Sequence, residues 1–253
     1  VGFLAALMGV SFIPQVGVLL ASVGRGWALT PLPEHYTLEF FRQVSFETPK
    51  FIINSLVFCA IAVALCIAIG VPMAWIMART KAPGRGAMDA LTTLMLAIPG
   101  TAVGIAFVRA FNFQLPFSEE SLTSLWIILP LVLAVRRLPY TVRGSYSSLL
   151  LVHKSMEEAA ESVGATKLRT FRDITVPLVW KGIFVGALFS FITSIQEASS
   201  TIFLTLGGNE MIPFGIFTFY IAGSQSQAAA LGVILIAVCA VRLFIVNRIA
   251  RPY

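Results

Sequence analysis

The chain has 253 residues, of which 57% are hydrophobic and only 12% charged, with a mean hydropathy of +0.87. Soluble domains carry roughly twice that charged fraction, so a single water-soluble domain is excluded. The formal charge of +6 needs no nucleic acid to explain it, because basic residues stay on the cytoplasmic side of membranes.

Six stretches contain no Asp, Glu, Lys or Arg: 1–24, 51–78, 90–108, 121–135, 182–196 and 211–241. Four reach the ~18 residues that cross a hydrocarbon core, and the other two are cut short by charges beside more apolar sequence. They are continuously apolar rather than alternating, which excludes β-barrel strands. The reading is an all-α polytopic membrane protein with spans at about 2–23, 51–78, 89–110, 122–138, 180–205 and 227–247. With the first span running outward, fourteen of eighteen basic residues lie on the inner side, leaving Arg25, Arg42, Lys50 and Arg109 outside or near the outer face. Both termini are then cytoplasmic. The chain starts with Val1, and its first apolar run has no basic n-region, so it reads as a span and not a signal peptide. The missing Met suggests a processed product or one part of a longer chain.

Along the chain, residues 25–50 form an outer segment whose Trp27, Tyr36, Phe40, Phe41 and Phe46 suit a membrane interface. Its His35 reads as an ordinary surface residue. The second span ends at Arg79, and residues 81–86 have the turn chemistry of a short inner loop. Pro99 and Gly100 break the third span, either as a helix bent around a pathway or as a packing kink. An outer loop with Glu119 and Glu120 follows, and the fourth span is predicted to end among Arg136, Arg137 and Pro139. Cys59, Cys66 and Cys239 fall inside spans without metal-ligand or disulfide spacing and read as small core side chains.

Residues 147–177 break the membrane pattern. Glu157, Glu158, Glu161 and Asp173 alternate there with Lys154, Lys167, Arg169 and Arg172. Val152, Met156, Ala159, Ala160 and Val163 follow helical spacing, which predicts a short amphipathic helix with its charges on the other face. Gly164 is placed to end it, a second short helix fits 167–174, and Pro177 suits the first turn of the fifth span. On spacing alone, a docking helix and a solvated surface hairpin are equally good readings.

Glu158, Ala159 and Ala160, then Gly164, Ile174 and Pro177, resemble the EAA loop of binding-protein-dependent ABC importer permeases, with Val176 where that family commonly has Leu. The similarity covers about residues 50–250 and includes Ile53, Asn54 and Ser55 at the usual start of the core. Residues 136–143 and Gln196, Glu197 and Ala198 resemble permeases of ferric iron, 2-aminoethylphosphonate and thiamine importers, many of which are double-length chains. The resemblance implies a type I ABC importer-like (MetI-like) transmembrane domain in the bacterial inner membrane. It divides the chain into a first span with its periplasmic segment, 1–50, and a permease core, 51–250. Coupling to a cytoplasmic ATPase falls to Glu157, Glu158, Ala159, Ala160, Gly164, Ala165 and Pro177. The implied partners are ATPase subunits holding ATP and Mg, a periplasmic solute-binding protein and a second permease half, with no cofactor on this chain and no nucleic acid.

The chain has no Gly-Lys dipeptide, hence no P-loop, and no hydrolase motif, so it reads as a permease and not an enzyme. An ATP-independent secondary transporter or channel is the competing class. In the fifth span Glu197 lies among Ser190, Thr193, Ser194, Gln196, Ser199, Ser200 and Thr201. A charge at membrane depth faces protein or water. Pro99, Gln196, Glu197 and Arg109 are therefore candidates for the pathway or gate, with Arg109 a possible ion-pair partner of Glu197, against a purely structural hydrogen-bond cluster. Residues 211–241 read as a short outer helix followed by the sixth span.

Overall fold

The structure is a computed structural model that describes residues 2–27, 32–113 and 121–250, and the side chains of all these except 242, 243 and 245–250. The outer-loop carboxylates Glu119 and Glu120 lie outside the described residues. In chain order, α1 (Gly2–Ser11) and α2 (Ile13–Val23) lead to a two-residue antiparallel ribbon of β1 (Gly24–Arg25) and β2 (His35–Tyr36), which the sequence did not announce. Then come α3 (Glu39–Arg42), a π-turn at Gln43–Glu47, α4 (Lys50–Arg79), α5 (Arg85–Ala97) and α6 (Gly100–Phe111). After these follow α7 (Ile128–Leu151), α8 (Ser155–Ser162), α9 (Lys167–Thr170), a π-turn at Phe171–Thr175, α10 (Val176–Ile195), α11 (Ile212–Ile221) and α12 (Gln225–Ala250). Each expected span overlaps a helix or, for the first and third, a pair of helices. The segments Gly2–Val23, Lys50–Arg79 and Lys167–Ile195 are long and apolar enough to cross a membrane, and α5 with α6 adds a fourth if the pair is one span.

Two spans differ from expectation. The fourth does not end at Arg136 and Arg137: α7 runs on through Pro139 to Leu151, so both arginines sit inside a helix. That removes two of the fourteen basic residues assigned to the inner side. The fifth stops at Ile195 rather than near 205, because the Ser- and Thr-rich run after it bonds its own backbone in turns instead of extending the helix.

The described residues divide into two compact units. In the first, 1–56 with 205–241, Val44, Phe51, Ile212, Ala230 and Leu231 form the core. Here Asn54 and Ser55 do local work. Ser55 Oγ accepts the Ile212 N–H at 2.7 Å, satisfying a donor at the start of α11, and Asn54 Nδ2 donates to the carbonyls of Gly208 and Glu210.

In the second unit, 57–204 with 242–253, α7 and α10 pack backbone to backbone. Small residues make this possible: a β-carbon on Gly186 would stand 2.9 Å from Tyr140 O and 3.0 Å from Thr141 Cα, and one on Gly144 would stand 2.8 Å from Gly182 O. Lipid is as apolar as the helices, so close packing and interhelical hydrogen bonds hold such pairs. Thr141 and Ser190 hydroxyls meet at 2.9 Å, and Ser190 Oγ also donates to Arg137 O at 2.9 Å. Val71, Ala74, Val142, Leu149 and Val179 complete this core. Cys59, Cys66 and Cys239 are buried, as their apolar surroundings predicted, and Cys66 Sγ donates to Ala134 O. Replacing Gly186 by Leu is expected to force α7 and α10 apart and cost about 1–3 kcal/mol. Thermal unfolding of the purified variant checks this, with Ala60→Leu on the exposed side of α4 as a neutral control.

Candidate functional site

The segment 152–177 folds as a helical hairpin at the end of α7. α8 closes with a Schellman motif: Gly164, at φ +90°, donates to Glu161 O, and Ala165 donates to Ala160 O. Thr166 caps α9 by accepting the Arg169 N–H, and Pro177 enters the first turn of α10, as expected. On the exposed rim the Arg172 guanidinium bonded to Asp173 holds that carboxyl below its usual range.

α8 keeps only part of the simple amphipathic reading: Ala160 is buried and Lys154, Glu158 and Glu161 are exposed as expected, but four other positions are not. Glu157 is buried, whereas Met156, Ala159 and Val163 stand exposed. The reason is a partner 78 positions away. Arg79, at the last turn of α4, donates its Nε to Glu157 at 3.0 Å and Nη2 to Val152 O at 2.7 Å, and Thr175 Oγ1 donates to the same carboxylate oxygen at 3.1 Å. Both charged side chains are 9% exposed. Removing one partner of such a pair leaves the other buried and uncompensated, which is far costlier than losing a surface bridge. Glu158, by contrast, points outward and pairs with Lys154 at 3.2 Å in an exposed i,i+4 bridge. The hairpin is therefore anchored on one side through Glu157 and open on the other through Met156, Glu158, Ala159 and Val163. A cavity of about 400 Å3 between α8 and α9 is lined in part by Ala160, Gly164, Ala165 and Thr170.

The second constellation lies among α6, α7 and the turn after α10. Glu197 pairs with Arg136 at 3.2 Å and with Arg137, in place of the expected Arg109, which is exposed in the last turn of α6. The same carboxylate accepts the Ser199 hydroxyl at 2.5 Å and the Ser200 N–H at 3.1 Å. Glu197 is 4% exposed, and Arg136 and Arg137 are 11% and 12% exposed. Gln196 is the C-cap of α10 and is exposed. Pro99 caps the bend, and α5 and α6 meet there at 111°. The bend adjoins the charge cluster, since a β-carbon on Gly100 would overlap Ser199 Oγ and Arg136 Nη1. Non-helical backbone at membrane depth is tolerated where protein buries it or a cavity receives it. Three of the four expected pathway residues thus fall in or beside one cluster. Sequence reasoning did not place Arg136 and Arg137 in the pathway set, although they open the 136–143 stretch that carries the family resemblance and are flanked by apolar residues on both sides.

Known proteins match this chain across most of its length. The family described as the binding-protein-dependent transport system inner membrane component matches residues 70–252. The ferric transport system permease protein FbpB of Actinobacillus pleuropneumoniae is 28% identical over 204 residues, covering 81% of this chain, and the match spans 29% of that protein's own length. The molybdenum transport system permease protein ModB of Escherichia coli is 30% identical over 211 residues, covering 79% of this chain and 92% of ModB. Among solved structures, a chain of a bacterial alginate ABC transporter, in complex with its alginate-bound periplasmic protein, superposes with a TM-score of 0.71 at 15% identity, covering 98% and 94% of the two chains. The helical architecture is that of type I ABC importer transmembrane domains, and with the family match extending over well more than half of the sequence, the chain belongs to the inner membrane components of binding-protein-dependent transport systems.

Proposed function

We propose that this chain is one membrane half of an ATP-driven importer that passes a small solute, of the iron, phosphonate or thiamine kind, from a periplasmic binding protein to the cytoplasm by alternating access. ATP and Mg sit on partner ATPase subunits, and a second permease half completes the pathway. The 152–177 hairpin and both termini face the cytoplasm. The observation that carries this reading is the hairpin's two-sided construction. Arg79 and Glu157 tie α8 to the membrane helices, while Ala159 and its neighbours remain exposed for a partner. An ATPase that grips the open side pulls on α4 and α10 through the anchored side. The exposed apolar side chains Leu151, Met156, Val163 and Leu168 around the hairpin fit a protein interface better than bare solvent.

Gly164→Val places a β-branched residue at φ +90°, costing about 1–2 kcal/mol locally with no clash to relieve. It is expected to distort the α8–α9 turn, so that solute uptake falls about tenfold while ATP hydrolysis by the purified assembly continues without solute control. Uptake that stays at the wild-type level and follows an ion gradient without an ATPase supports the secondary-transporter class instead. Arg79→Glu and Glu157→Arg are each expected to lower both Tm and uptake. The double exchange recovers a substantial part of each, as measured by thermal unfolding and uptake in the same membranes.

A further inference from the structure

We infer that the Arg136–Arg137–Glu197 cluster is an oxyanion site on the transport path, and that the solute crosses as an anion-bearing molecule rather than as a bare cation. This inference rests on the importer reading above and names the chemistry of its solute.

Three observations converge. First, the charge does not balance: two arginines, each about nine-tenths buried, share one carboxylate. Second, donors remain unused. The Nε–H groups of both Arg136 and Arg137 are buried and have no partner, and so is the Ser200 hydroxyl. Buried, partnerless donors are costly and are retained where something else satisfies them. Third, α6 begins here. Gly100 sits against Arg136 Nη1 and Ser199 Oγ, and the first three N–H groups of α6, at Gly100, Thr101 and Ala102, have no intrahelical acceptor. The N-terminus of a broken membrane helix carries partial positive charge and receives anionic groups.

The present occupant shows which ligand shape fits. The Glu197 carboxylate is itself an oxyanion, and it accepts from Arg136, Arg137, Ser199 Oγ and the Ser200 N–H. That donor shell, with forked guanidinium groups, suits a sulfate, phosphonate or molybdate oxygen set equally well. Glu197 holds the site while no solute is present. An arriving oxyanion exchanges with it, so the site binds the solute weakly enough to release it. No bond is made or broken in this exchange. Glycine at position 100 leaves the Arg136 and Ser199 donors in place, because a β-carbon there would overlap Arg136 Nη1 and Ser199 Oγ.

The test uses the full chain in lipid nanodiscs, with sodium sulfate as probe and sodium chloride at matched ionic strength as control, read as the shift in thermal midpoint. Glu197→Gln removes the competing carboxylate, so sulfate is expected to raise the midpoint at about tenfold lower concentration than in wild type, an occupancy effect that follows from mass action. Adding Arg137→Gln to Glu197→Gln is expected to abolish the response. A sulfate response no larger than that to chloride in both Glu197→Gln and wild type overturns the inference, as does a response that survives loss of Arg137. If Glu197→Gln does not fold, the wild-type response and its loss in Arg137→Lys decide the matter alone. In the assembled transporter, ATP hydrolysis stimulated by thiamine but not by sulfate or methylphosphonate overturns the anion assignment and leaves the importer reading intact. Absence of any ATPase partner overturns the importer reading itself.

Discussion

A charge inside a membrane protein has to be matched within the protein, because lipid offers nothing in return. This constraint organises the second unit. Among the described residues, its two buried ion-pair systems each join segments distant in sequence: Arg79 to Glu157 at the 152–177 hairpin, and Arg136 and Arg137 to Glu197 at the break between α5 and α6. Neither is a cheap way to stabilise a fold, since apolar side chains of equal volume do as well or better. Their value lies in position. One ties a surface hairpin to two long helices, and the other brings a broken helix, a continuous helix and a helix terminus to one point.

Close helix packing lets these pairs act together. Gly144, Gly182 and Gly186 bring α7 against α10 with no side chain between them, and the Ser190 hydroxyl bridges to Thr141 and to the backbone of Arg137. α10 begins beside the hairpin at Val176 and ends at Ile195, two residues before Glu197. At ~1.5 Å per residue it spans about 30 Å. One continuous helix thus connects the anchored hairpin to the charge cluster. This contiguity is the physical basis for supposing that displacement at one end is felt at the other.

The sequence was most legible where the signal is local. Hydropathy placed six spans on helices or a bent pair, and Gly164 and Pro177 marked the end of α8 and the start of α10 because backbone geometry alone selects those residues. It was least legible where a partner is remote. Glu157 looked like one more charge on a polar face, and only Arg79, 78 positions earlier, makes it the buried residue of α8. Arg136 and Arg137 looked like the end of a span because an arginine pair normally is one; Glu197, about 60 positions later, lets the helix continue past them. Arg109 was chosen for Glu197 by depth, and depth says nothing about which face of a helix a residue occupies.

The most direct test of the account is thiol labelling at Ala159 in the assembled transporter. Cys59, Cys66 and Cys239 are buried, so Ala159→Cys adds a single exposed thiol. A membrane-impermeant maleimide applied from the cytoplasmic side is expected to leave it unlabelled while the ATPase is bound, and to label it fully once the ATPase is stripped away. Equal labelling in both states, or labelling only from the periplasmic side, contradicts the assignment of α8 as the face through which ATP hydrolysis reaches the membrane.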